Sequence, residues 1–131
     1  MNQRSEVYYN AGLELLSKRL YSQSIACFYY SVLQLMWYSL TVSHIRPLSY
    51  DSQNPLNEDI HERTSTDIKS RLVNKKDVEK VKALFDDKLL PLRKKADYSQ
   101  EQCTLDECTE CRDLCESLRK LLKDRFRQTT R

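Results

Sequence analysis

SQSIACFYYSVLQLMWYSLTVSH, residues 22–44, is the most apolar stretch of a polar chain. Read at helical spacing it carries two stripes. Ile25, Phe28, Val32 and Leu35 recur at i, i+3, i+7 and i+10, and Tyr29, Leu33, Met36 and Leu40 at i, i+4, i+7 and i+11. The stripes lie side by side, and a helix that is apolar over most of its circumference is buried on several sides. The stretch therefore predicts the central helix of a bundle. A membrane span needs ~20 consecutive apolar residues, whereas Ser22, Gln23, Ser24, Ser31, Gln34, Ser39, Thr41 and Ser43 interrupt this run. A signal peptide starts earlier, with a basic flank and a small-residue cleavage site, and neither feature is present. The expected setting is the cytoplasm, with no membrane as partner.

The chain has 131 residues, the size of one domain with one core, here taken as residues 1–131. It holds one glycine and three prolines, too few for the tight turns that join strands. The composition thus predicts an all-α fold. Net charge is +3, but six cations against one acid fall between Arg119 and Arg131. Cations are favoured at the negative end of a helix dipole, and the same residues are also a candidate contact for phosphates. Smaller basic clusters stand at Lys75-Lys76 and at Arg93-Lys94-Lys95.

A first amphipathic helix is expected from about Ser5 to Arg19, with Tyr9, Leu13, Leu16 and Leu20 on its core side. Gly12 costs about 1 kcal/mol relative to alanine within a helix, which implies a close neighbour. The central helix ends near His44 to Arg46, before Pro47, and Pro47 to Pro55 reads as a loop. Asn57 to Val73 reads as a short helix or a mobile segment, because β-branched and polar residues dilute the row Ile60, Thr64, Ile68 and Leu72. A further helix is expected to start with Asp77 as its N-cap and to carry Val78, Val81, Phe85, Leu89, Leu92 and Ala96. Pro91 predicts a bend near Asp87 to Leu90. The last helix opens on Thr104 and Glu107, a capping box, and continues to about Arg127 through Cys108, Cys111, Cys115, Leu118 and Leu122. The expectation is an up-and-down bundle of four main helices plus one short or mobile segment.

Four of the five cysteines cluster, at Cys103, Cys108, Cys111 and Cys115. The spacing looks like that of a metal site, but the last three continue the stripe of Leu118 and Leu122, and free cysteine behaves as a small core hydrophobe. No metal and no cofactor is expected. The two histidines, His44 and His61, are candidates for proton transfer. A single glycine excludes the glycine-rich phosphate loops. The remaining candidate is Arg93-Lys94-Lys95-Ala96-Asp97-Tyr98, where an arginine, an aspartate and a tyrosine share a helix end. Arg93 and Asp97 are spaced for an ion pair. The same set suits an anion, with Arg93 binding it, Asp97 and Tyr98 orienting it, and Lys94 and Lys95 beside it.

Residues 20–40, LYSQSIACFYYSVLQLMWYSL, followed by a loop, LLPLRKKADYS and a final helix with small core residues, resemble the HEPN domain family. The resemblance runs from about Ser5 to Phe126, and its most specific element is Arg-x-x-Ala-Asp-Tyr at 93–98. It implies a helical bundle, often dimeric, commonly found with a nucleotidyltransferase partner in toxin–antitoxin or defence systems. Many members are metal-independent ribonucleases with an arginine followed, after four to six residues, by a histidine. Here Arg93 matches the arginine, and positions 98–100 are Tyr98, Ser99 and Gln100. A tyrosine of pKa ≈ 10 exchanges protons poorly near neutral pH, unlike an imidazole.

Three functions follow as expectations. The first is a non-catalytic accessory module that binds a nucleotide, RNA or a partner protein and forms a homodimer. The second is a ribonuclease with an altered site, in which Arg93 works with His44 or His61. The third is a purely structural bundle. The aromatic side chains of Tyr29, Tyr30, Trp37 and Tyr38 exceed what one small bundle covers, which favours the homodimer.

Overall fold

The computed structural model describes residues 3–42, 58–99 and 102–126, and every regular element among them is helical. The elements are α1 (Gln3–Ser17), α2 (Tyr21–Val42), α3 (Glu58–Arg71), α4 (Lys75–Val81), a π-helical segment (Lys82–Leu89), α5 (Leu90–Tyr98) and α6 (Leu105–Arg125). Together they make an all-α bundle. The predicted loop at 47–55, His44 and the residues beyond Phe126 lie outside the described residues.

Helix α2 is the core. Ile25, Phe28, Tyr29, Val32, Leu33 and Met36 are fully enclosed, and Leu35 and Leu40 nearly so. By length and composition α2 is apolar enough to cross a membrane, yet most of it is buried inside the bundle. It packs against α1, α3, α5 and α6. Burying this much apolar side-chain surface, at about 1.5–3 kcal/mol per large residue, is the main stabilising term.

Hydrogen bonds fix the helix directions. Ser5 Oγ donates to Ser31 O at 2.6 Å and Ser24 Oγ to Gly12 O at 2.7 Å, so α1 and α2 are antiparallel. Cys111 Sγ points at Ile25 O (3.9 Å) and Cys115 Sγ at Phe28 O (3.2 Å), so α6 runs parallel to α2. Lys95 bonds Glu107, and Arg125 bonds Asp77, which makes the 75–98 helix antiparallel to α6. The four main helices therefore alternate in direction.

The α1–α2 turn is a Schellman closure, in which Arg19 takes the left-handed conformation (φ 63°) and Leu20 N donates to Leu15 O. Here α1 departs from the expected face. Leu13 and Leu20 are exposed, while Ser5 and Gly12 are buried. The small residues let α1 approach Phe28, so the contact face is set by shape rather than by leucines.

Helix α3 corrects the expectation of a short or mobile segment. Ile60, Thr64 and Ile68 are enclosed, and Leu72 is buried. The polar residues that dilute its pattern are bonded. Thr64 Oγ1 donates to Ile60 O (2.6 Å) and accepts from Trp37 Nε1 (3.0 Å), and Ser65 Oγ and Lys69 Nζ both bond Asp86.

Two expectations for the 75–98 helix are also corrected. Its N-cap is Asn74, whose side chain accepts from Lys76 N, because Asp77 is turned inward to Arg125 Nε at 2.6 Å. Around Pro91 the chain stays helical, and the register loosens. Leu90 N bonds Phe85 O, five residues back. Proline lacks a donor and its ring crowds the preceding turn. A wider π turn just before it relieves that crowding. At the start of α6 the capping box is present, with Thr104 Oγ1 accepting from Glu107 N and Glu107 from Thr104 N.

Candidate functional site

Arg93 is 1% exposed and is the largest fully buried side chain among the described residues. The sequence reading placed it at a bend facing solvent or a ligand, and the structure places it inside. The reason is the four-residue row Val81, Phe85, Leu89 and Arg93, all buried on one side of the helix. Its guanidinium lies between two rings, with Cζ 5.7 Å from the centroid of Tyr29 and 5.3 Å from that of Tyr98. Nε is 3.0 Å from Asp97 Oδ2, and Nη2 donates to Tyr98 Oη at 3.4 Å. A buried cation is tolerated only when paired and bonded in this way.

The motif therefore meets in space, but its members face different ways. The Asp97 side chain is 24% exposed, Tyr98 is 60% exposed and Lys94 is exposed. Lys95 is committed to Glu107 of α6 at 2.7 Å. That lysine, with the backbone of Thr104, holds the Glu107 carboxyl below its ordinary value.

His61 is buried on α3 and shares a hydrogen bond with the Tyr29 hydroxyl, Nδ1 to Oη 2.6 Å. Tyr29 stacks on Phe85 at 5.5 Å between centroids. One phenol thus carries the arginine on its ring and the histidine on its oxygen. Tyr29 was read from the sequence as surplus aromatic surface and is instead the centre of this group. Tyr30 and Trp37 are partly buried, with Tyr30 against Tyr8 and Tyr29 and Trp37 bonded to Thr64. Much of the aromatic excess is thus used within the chain. The sequence held a signal for Tyr29, since it lies on the core stripe of α2.

The basic C-terminal segment is also largely committed. Glu6 of α1 pairs with Arg119 and with Lys123 (3.0 Å), while the Arg119 guanidinium lies 4.4 Å over the Tyr9 ring. Bonding from Lys123, helped by Arg119, holds the Glu6 carboxyl below its ordinary value against the opposing effect of burial. Glu116 accepts from Tyr9, and desolvation and that carboxylate together push the phenol well up.

Cys103, Cys108, Cys111 and Cys115 are buried and unbridged. Burial drives the Cys108 and Cys115 thiols up, which disfavours the thiolate that a metal or an electrophile needs. Among the described residues no group of His, Cys, Asp or Glu is arranged to hold a metal ion. A cleft of about 340 Å³ opens at the α1–α2 turn beside Arg19, Ser22, Gln23 and Cys103, away from every candidate residue but Cys103. Comparison with protein-family models, with curated proteins and with solved structures found no match to this chain.

Proposed function

We propose that this chain is an HEPN-like accessory module that acts by binding, as a homodimer beside a nucleotidyltransferase partner, and does not cleave RNA itself. The observation that supports the non-catalytic reading is the enclosure of Arg93. A catalytic cation or proton-transfer group touches its substrate. Here the guanidinium is sandwiched by Tyr29 and Tyr98 and paired with Asp97. The motif holds the end of α5 against α2, and its solvent-facing members, Lys94 and Tyr98, are the ones that meet a partner or nucleotide.

The test is incubation of purified protein with structured and single-stranded RNA in metal-free buffer, followed by sizing of the products. Intact RNA together with retained binding supports the reading. Cleavage that disappears in a His61→Gln variant would overturn it.

That outcome would favour the second reading, a ribonuclease with a rearranged site. One observation speaks for it: His61 and Arg93 contact the same Tyr29, so an imidazole does lie near the motif arginine although none follows it in sequence.

A further inference from the structure

The cations of this chain divide into two populations. Those of α6 are tied down, with Arg119 and Lys123 on Glu6 and Arg125 on Asp77. Those along the outside of α4, the π segment and α5 are not. Lys75, Lys76, Lys80, Lys82, Lys88 and Lys94 are all exposed. Only Lys82 makes an ion pair among them, to Asp87 at 3.4 Å. Asp77 and Asp86, the other acids of this helix before Asp97, are drawn to Arg125 and to Lys69. What remains outside between 75 and 94 is six lysines against two exposed acids, Glu79 and Asp87. Folding thus moves the free positive surface from the C-terminal segment, where the sequence concentrates charge, to the middle of the chain.

We infer that this outer surface docks the phosphodiester backbone of a nucleic acid strand. From Lys76 to Lys94 the helix spans roughly 25 Å at about 1.5 Å per residue, enough for several consecutive phosphates. The side chains themselves select phosphate over a protein partner. Protein interfaces are centred on buried aromatic or apolar anchors and are depleted in lysine. No large apolar residue is exposed between 75 and 94. Phosphate backbones need only cations within reach, and lysine serves as a point charge. The absence of an apolar face also argues against a membrane surface, where amphipathic helices insert such a face. The inference rests on the binding reading above. It locates the nucleic-acid contact on these lysines and leaves Arg93 as a support.

The experiment is fluorescence anisotropy with a labelled uridine homopolymer and a thymidine homopolymer of equal length, at about 50 and 200 mM salt. With four to five phosphates neutralised, affinity is expected to fall by about 100-fold across that salt range. A Lys76→Glu/Lys80→Glu/Lys88→Glu/Lys94→Glu variant loses at least tenfold in affinity, while Lys120→Glu, an exposed reversal on α6, binds like wild type. The neutral Lys→Gln set at the same four positions shows an intermediate loss and guards against an effect of reversed charge on folding. Equal loss for both strands assigns the contact to the backbone, and a larger loss for RNA adds the ribose. The inference is overturned if the fourfold variant binds like Lys120→Glu, if wild type binds neither strand, or if polyglutamate competes as well as RNA. Absence of strand binding leaves the partner-protein part of the binding reading standing. Cleavage of the strand would sink that reading and leave the lysine surface to be judged by the variants.

Discussion

Gly12 lies against the ring of Phe28 so closely that a Cβ there would stand 2.6 Å from Phe28 Cδ1. Phe28 is enclosed in the core and cannot swing away. Gly12→Ala gains helix propensity of about 1 kcal/mol, but overpacking costs about 1–3 kcal/mol. A net loss of about 1 kcal/mol in urea unfolding is expected, against a gain at Asn10→Ala on the exposed side of α1. Stabilisation by Gly12→Ala would show that α1 sits less tightly than described.

Arg93 and Tyr29 separate the structural roles in the buried group. Arg93→Ala strands Asp97 and opens a cavity. The expected cost is about 2–4 kcal/mol, below that of a fully enclosed ion pair, because Asp97 keeps partial exposure. Tyr29→Phe keeps the ring under the guanidinium and withdraws the hydroxyl from His61. It is expected to cost about 1–3 kcal/mol, the range for disturbing a buried polar partner. Denaturant titration of both variants checks the order, and a larger loss for Tyr29→Phe would reverse the roles.

Acid sensitivity follows from Glu6 and Glu107, whose folded pKa values lie below the ordinary 4.5. A carboxyl depressed in the folded state contributes stability above its unfolded pKa and loses it as pH falls through the folded value. Stability is therefore level near neutrality and declines below about pH 4.5. Glu6→Gln flattens part of that decline, as thermal melts from pH 6 to pH 3 will record. An unchanged acid limb in Glu6→Gln would mean that Arg119 and Lys123 add nothing through it.

Thiol reactivity provides a probe of α6. Cys108, Cys111 and Cys115 are enclosed, whereas Cys27 is half-buried. Raised pKa values keep Cys27, Cys108 and Cys115 largely protonated. Alkylation of native protein followed by peptide mass spectrometry is expected to label Cys27 slowly and the three α6 residues only on unfolding. Rapid labelling of Cys111 or Cys115 would place α6 off the core.

What the sequence made legible was local or periodic. The wide apolar arc of α2, the Thr104–Glu107 box and the core row of cysteines each follow from spacing within one helix. The rest depends on partners far along the chain. Asp77 looks like a cap until Arg125 claims it, leaving the cap to Asn74. Helix α3 looks diluted because the partners of Thr64 and Ser65 are Trp37 and Asp86. Arg93 looks exposed because a charged residue is expected outside, and nothing near it announces the ring of Tyr29.

The π segment has one more consequence, for how the chain tolerates changes in length. Four residues advance an α-helix by about 400°, so a row repeating every fourth residue drifts by about 40° per step. Val81, Phe85, Leu89 and Arg93 nevertheless stay on one buried line, because the wider turn absorbs the drift. The segment behaves as if it held one extra residue. Removing Ala83, an exposed member of it, would let the stretch close to α geometry. It would also turn everything beyond by about 100°, carrying Arg93 away from Tyr29 while leaving every side chain of the motif intact.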